Sequence, residues 1–448
     1  MIYLRKLVSS GTDRSQLVKK NIIGAFAVKG LSVLITFLLV PMSIDFVSSE
    51  VYGVWLALSS IVTWIGLFDV GFGNGLRNKI AECMAINDIE RAQRYVSTTY
   101  ACMVMIFMPL GLLLYFICPL IDWCSLLNVI PTLSEEIKNT VQMTLLFFCI
   151  TFIIKIQNTV LLGLQLNALA SLSDTLGNLI VLTTIFTLKH FVNGSLQILA
   201  LIIYICPIAV YLILAIWMYV IKYPKLRPTI RGFNRNYVRD IVSLGVKFFI
   251  IQIACLVLYS TINVLISNVS GPGYVTEYNV VYKYMSIPLM IFTIIVVPLW
   301  SAFTDAYTRN DYLWMNTILS KYKKIMYCMI LFTLLLIALY PIFFKIWLGD
   351  KVEIHLSMIL VVAFYIITTI WNTLYSHIIN GIGKIKLQLY CSLLGTFLNI
   401  PLALLLGQNF GAIGIISSVI IFNSLPLVLL PIQVKKILTK RAIGIWNK

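Results

Sequence analysis

Apolar runs long enough to cross a lipid bilayer recur from one end of this chain to the other, and that recurrence rules out most folds before any motif is considered. A hydrocarbon core of about 30 Å needs about 20 apolar residues at a helical rise of 1.5 Å per residue. Such windows fit twelve times into the 448 residues, at 21–46, 51–72, 95–119, 139–162, 171–190, 196–221, 241–268, 280–304, 323–348, 355–379, 385–407 and 411–434. With 60% hydrophobic and 11% charged residues, no large soluble domain is left over. The expectation is an all-α integral membrane protein of about twelve transmembrane helices.

An even number of crossings puts both termini on one side, and lysine and arginine say which. The amino terminus, the loop after the second run (Arg77, Lys79, Arg91, Arg94), the stretch 222–240, the loop after the eighth run, Lys384, Lys386 and the basic tail hold 26 of the 34 Lys and Arg, and the opposite side holds 5. Cytoplasmic loops carry the excess of positive charge, so both termini are expected in the cytoplasm. The net charge of +17 then reports orientation, and no nucleic-acid partner is expected. The first run is too long for a signal-peptide core and lacks a small-residue cleavage site, so it counts as a span.

The longest basic stretch, KYPKLRPTIRGFNRNYVRD at 222–240, divides six runs from six. On either side the pattern echoes itself, AFAVKG (25–30) with Lys29 against SLGVKF (243–248) with Lys247. Two pseudo-symmetric six-helix bundles, 1–221 and 241–448, joined by a cytoplasmic linker, would leave such a trace. Chance similarity between apolar segments is the competing explanation. Prolines inside the runs (Pro41, Pro109, Pro207, Pro288, Pro298, Pro401, Pro426) predict broken helices of the kind found in transporters, or simple packing kinks.

Five ionisable residues stand well inside the runs: Lys29, Asp69, Lys155, Asp174 and Lys247. A charge there costs at least about 2.5 kcal/mol, so it faces a bundle interior or a wet cavity. Lys29 shares a helical face with Ser32 and Thr36, and Lys155 with Thr151 and Asn158. Asp174 shares one with Ser171 and Asn178, and Asp69 one with Gly66 and Gly73, while Lys247 is rotated away from its own polar stripe. The alternatives are plain. Each lysine could snorkel to the headgroups, Asp69 could pair with Arg77 or Lys79, and Asp174 could favour a helix start. Taken together, the charges suit a cationic inner cavity for an anionic headgroup.

Nine cysteines without a C-x-x-C pair support neither a disulfide framework nor a zinc site, and His190, His355 and His377 lie far apart. No metal and no cofactor are implied.

The stretch EVYGVWLALSSIVTWIGLFDVGFGNGLRNKIAE (50–82), continued by RAQRYVSTTY (91–100), resembles the amino-terminal region of Wzx-type flippases of O-antigen and other polysaccharides. Their superfamily includes the multidrug MATE transporters and the lipid II flippases. The later runs agree mainly in number, length and the central basic loop. The resemblance implies a MATE-like fold of two bundles around a central cleft. It also implies export of undecaprenyl-pyrophosphate-linked oligosaccharide across a bacterial inner membrane, alongside a polysaccharide polymerase and a chain-length regulator. Asp69, Gly71, Gly73, Asn74, Gly75 and Arg77 match the family's motif in the second span. On this reading Lys29, Lys155 and Lys247, with Arg77 and Asn74, attract the pyrophosphate. Asp69 and Asp174 couple a proton or sodium ion or balance the lysines, and Ser32, Thr36, Thr151, Asn158 and Asn178 line the polar cleft. The prenyl chain stays among the membrane lipids.

Three rivals remain. An ion-coupled multidrug antiporter of the same fold would expect an acid-dominated cleft, whereas here intramembrane bases outnumber acids. A major-facilitator carrier would show a G-x-x-x-D-R/K-x-G-R-R pattern after the second span, which DVGFGNGLRNKIAE does not supply. A membrane-embedded polymerase or glycosyltransferase would need a convergent catalytic constellation, and none is evident, so no enzymatic activity is expected.

Overall fold

The computed structural model describes residues 13–48, 51–56, 58–59, 72–123, 134–347 and 354–447, and all regular structure among them is helical. Among the described residues, nine helices are long and apolar enough to cross a membrane. The last of these, α14 (Lys386–Leu438), is in fact two helices joined at Gly411. There φ is +60° and ψ −143°, a backbone that only a residue without Cβ adopts readily. The helix α8 (Arg235–Ser270) adds a further passage. The second passage shows helix on both sides of its undescribed stretch, at 51–56 and in α2 (Phe72–Ala85). Among the described residues eleven passages result, and the expected run at 51–72 lies largely outside them.

The chain forms two compact units, Met1–Val246 and Lys247–Lys448, and the boundary falls inside α8. The first unit contains α1 (Asp13–Val47), α2, α3 (Ile89–Ile117), α4 (Ser134–Ile154), α5 (Ile156–Gly163), α6 (Asn167–Leu188) and α7 (Leu196–Ile216). Lipid tails are as apolar as leucine, so helices in a membrane associate through close van der Waals packing at small residues. The crossings of this unit follow that rule. A Cβ placed on Gly24 of α1 would lie 2.8 Å from that of Ala168 at the start of α6, and one on Gly163 of α5 would lie 2.7 Å from that of Ile80 in α2. One on Gly177 of α6 would come within 3.0 Å of Pro207 in α7. Phe46 at the end of α1 also touches Gly194, just past α6, so α1 and α6 run parallel.

Unit two contains the rest of α8, a segmented passage of α9 (Pro272–Met285), α10 (Ile287–Val296) and α11 (Leu299–Thr308), then α12 (Tyr312–Trp347), α13 (Leu356–Ile382) and α14. Of the prolines singled out above, Pro288 and Pro298 sit where this passage breaks. Pro41, Pro109, Pro207, Pro401 and Pro426 lie within helices that continue through them. Large apolar side chains such as Leu34, Met105, Phe116, Ile213, Ile346 and Phe397 are exposed, the face that lipid covers. One boundary differs from expectation: helix continues to Ala85, well past the apolar run at 51–72. Ile80 packing against Gly163 lets α2 outrun the hydrocarbon, since its hydrogen bonds are internal and need no lipid.

Candidate functional site

The first unit holds a cavity of about 580 Å³ bordered by α3, α4, α5, α6 and the start of α2. Its position follows from a flaw in the fourth passage. α4 ends at Ile154 and α5 begins at Ile156, with Lys155 alone between them in a turn. The Lys155 amide still donates to the Thr151 carbonyl (2.8 Å), but the Lys155 carbonyl accepts from Asn158, three residues on (2.9 Å). Tightened pieces of this kind inside a helix often mark functional positions. Here the turn delivers the Lys155 side chain to the cavity wall.

Lys155 Nζ lies 3.0 Å from Asp174 Oδ1 of α6, and both side chains are 47% exposed. The Tyr211 hydroxyl of α7 donates to the same carboxylate oxygen, and the Lys155 ammonium lies 5.6 Å from the centre of the Tyr211 ring. Three helices therefore converge on one ion pair. Thr151, Asn158, Thr159 and Ser171 add polar groups to the wall, while Met103, Phe148 and Phe152 form its apolar side. Asn158 is committed to structure: its carboxamide oxygen accepts from Ser173 (2.9 Å) and its nitrogen donates to the Ala170 carbonyl (3.4 Å), tying α5 to α6.

The other residues expected at a site are placed as follows. Lys29 is exposed on α1. It stands five residues beyond the Gly24–Ala168 contact, and Asp174 stands six beyond it on the parallel helix, so the two lie at about the same height. Ser32 is half-buried, and the exposed Thr36 turns its hydroxyl back to the Ser32 carbonyl (2.8 Å). Asn74 is half-buried on α2, and Arg77 is 5% exposed; neither lines the cavity, although Phe72 and Gly73 of the same helix do. Asn178 lies one turn beyond Asp174 and is half-buried. Lys247 is half-buried at the start of the second unit. Asp69, with Gly66 and Gly71, lies outside the described residues. The structure thus brings together Lys155, Asp174, Thr151 and Asn158, and adds Tyr211. Sequence reasoning treats aromatic residues as interfacial belts, yet Tyr211 stands ten residues before Ile221, too deep for a headgroup contact. That depth was the available signal.

The family described as polysaccharide biosynthesis protein matches residues 18–303, well over half of the chain. The chain belongs to this family. Among its relatives is the "Putative O-antigen transporter" of Salmonella typhi, 21% identical over 414 residues, covering 86% of this chain and 88% of that one. Another is the "Putative O-antigen export protein" of Yersinia pseudotuberculosis, 21% identical over 367 residues and covering 80% and 81% of the two chains. A crystal structure of a MATE protein in the bent conformation superimposes with a TM-score of 0.80 at 14% identity, over 96% of each chain. The fold of this polysaccharide biosynthesis protein is therefore MATE-like, and the resemblance read from 50–82 and 91–100 is borne out. It is a multi-pass membrane protein of the transport class.

Proposed function

We propose that this chain moves a lipid-linked oligosaccharide, an O-antigen repeat unit or a close relative carried on undecaprenyl pyrophosphate, from the inner to the outer leaflet of a bacterial inner membrane. The two six-helix bundles, 1–221 and 241–448 about the 222–240 linker, would alternate access to the two sides, with both termini in the cytoplasm. Family membership and the names of the two relatives support the polysaccharide; the cavity in the first unit supports the anionic carrier.

The observation that carries the proposal is the Lys155–Asp174 pair, half exposed to a cavity inside a membrane-embedded bundle. An ammonium held by one carboxylate is neutralised yet still reachable. A phosphate oxygen entering the cavity can share or replace Asp174, and hydrogen bonds to charged groups contribute about 1.5–3 kcal/mol each. Lys29, at the same height on α1, and Lys247 and Arg77 would extend the positive field, and Asn74 would offer its amide to the pyrophosphate. Asp174 and Asp69 would take up a proton or sodium ion when the lysine turns to cargo, and Ser32, Thr36, Thr151 and Asn178 would meet sugar hydroxyls. A polymerase and a chain-length regulator would then receive the unit outside.

A second reading, ion-coupled multidrug antiport, is favoured by the MATE-like fold and by the carboxylate in the cavity. Deleting the gene separates the two. Loss of surface polysaccharide, with lipid-linked repeat units held on the cytoplasmic side, is the expected result. Drug sensitivity with surface polysaccharide intact would overturn the proposal in favour of the antiporter.

A further inference from the structure

Orientation accounts for the charge of the segment 222–240 but not for how it is built. α7 closes in a π-helical turn, Trp217–Lys222, and two 3-10 turns follow, Pro224–Leu226 and Ile230–Gly232. Four hydrogen bonds fasten the segment to the first turns of α3. Gln93 Nε2 donates to the Arg227 carbonyl (3.0 Å), the Thr229 and Asn234 amides donate to the Ser97 and Thr98 hydroxyls (3.1 Å each), and the Tyr95 hydroxyl donates to Asp240 (3.0 Å). Leu226 is buried, and the Tyr237 ring lies 4.5 Å from that of Tyr95. A free tether would need none of this.

The face turned outward is basic and tipped with an apolar residue. Lys222, Lys225, Arg227, Arg231, Arg235 and Arg239 are all exposed, and none is paired with a carboxylate among the described residues. Asp240, the one acid of the segment, is held by Tyr95. Among these cations Ile230 is 98% exposed, and Phe233 is exposed beside it.

Two helices fix the depth. On α3 the exposed large apolar side chains begin at Val104 and run to Ile117, so the hydroxyls of Ser97 and Thr98 stand about two turns before the lipid-facing band. On α7 that band ends at Ile221, next to Lys222. The segment therefore lies at the level of the headgroups.

We infer that 222–240 is a docking surface for anionic phospholipid headgroups, its cations meeting lipid phosphates and Ile230 reaching toward the acyl boundary. An exposed isoleucine flanked in sequence by Arg227 and Arg231 at this depth gains from contact with an apolar phase, which a soluble anion cannot offer. Because the hydrogen bonds to α3 already order the backbone, binding lipid costs little further entropy. The inference does not depend on what the cavity transports.

The test is native mass spectrometry of the full-length protein in detergent, supplied with equal phosphatidylglycerol and phosphatidylethanolamine. The wild type should retain phosphatidylglycerol preferentially. Arg231→Gln should lower that retention up to about fivefold, and a variant carrying R227Q, R231Q, R235Q and R239Q should retain the two lipids equally. Ile230→Asp should weaken retention as well. None of these side chains holds the segment to α3, so thermal unfolding in detergent should match the wild type. Equal retention of both lipids by the wild type, undiminished preference in the fourfold variant, or displacement of phosphatidylglycerol by millimolar inorganic phosphate would overturn the inference.

Discussion

The two units share an architecture and differ in where they spend their irregularities. In the first, the fourth passage is interrupted at Lys155, and the interruption puts an ammonium into a cavity beside Asp174, whose carboxylate the buried Tyr211 also holds. In the second, the fourth passage, α13, runs unbroken for 27 residues, and the breaks fall at Pro288 and Pro298 in its second passage. The second unit also has a carboxylate beside a cavity, Glu277, but it is 3% exposed and accepts the His355 backbone amide (2.8 Å) and ring nitrogen (3.2 Å). One acid is half exposed and paired with a half-exposed lysine; the other is buried and tied to backbone. An exchangeable ion pair can serve a passing ligand, whereas a buried carboxylate bonded to an amide mainly secures a chain end.

The largest effect expected from this contrast is at Lys155. Lys155→Ala should cut export ten- to a hundredfold with membrane insertion unchanged, measured as surface polysaccharide against protein level, because a charge-assisted contact of about 1.5–3 kcal/mol is lost. The exchange Lys155→Asp with Asp174→Lys sharpens the point: export should stay low if the ammonium meets cargo from its own position, and recovery would make the pair purely structural. Next comes packing in the second unit. A Cβ on Gly381 would lie 2.4 Å from the Trp300 carbonyl oxygen, so Gly381→Ala should destabilise by about 1–3 kcal/mol, visible as a lower Tm in detergent. An unchanged Tm would mean that α11 and α13 can part without loss. Tyr211→Phe removes one donor from Asp174 and should reduce export about fivefold. A wild-type rate would place Tyr211 outside the working group. The smallest effect is expected of Glu277→Gln, which keeps an acceptor for the His355 amide and should change export less than about twofold. A loss as large as that of Lys155→Ala would break the contrast between the units.

Much of this was legible in one dimension. The number of passages, their helical nature and the presence of Lys155 and Asp174 inside them follow from chain-local physics: the thickness of the hydrocarbon sets the length of each run, and the cost of an intramembrane charge marks it out. Helical spacing also placed Thr151 and Asn158 on the face of Lys155. Tyr211 was missed because its partner sits 37 residues away on another helix, and a single tyrosine in an apolar run has no periodicity of its own. The continuation of α2 to Ala85 was missed for the same reason, since the glycine that accommodates Ile80 lies in α5.

The sequence by itself thus determined that the chain is a helical membrane protein, and which of its residues carry charge into the lipid. Only the tertiary structure decided which of those charges meet, that Arg77 is buried while Lys155 opens onto a cavity, and that the basic stretch at 222–240 is pinned to α3. The division has a physical cause. Hydrophobic length and charge cost belong to each residue and its near neighbours, whereas an ion pair, a cavity or a docked loop exists only between segments that packing brings together.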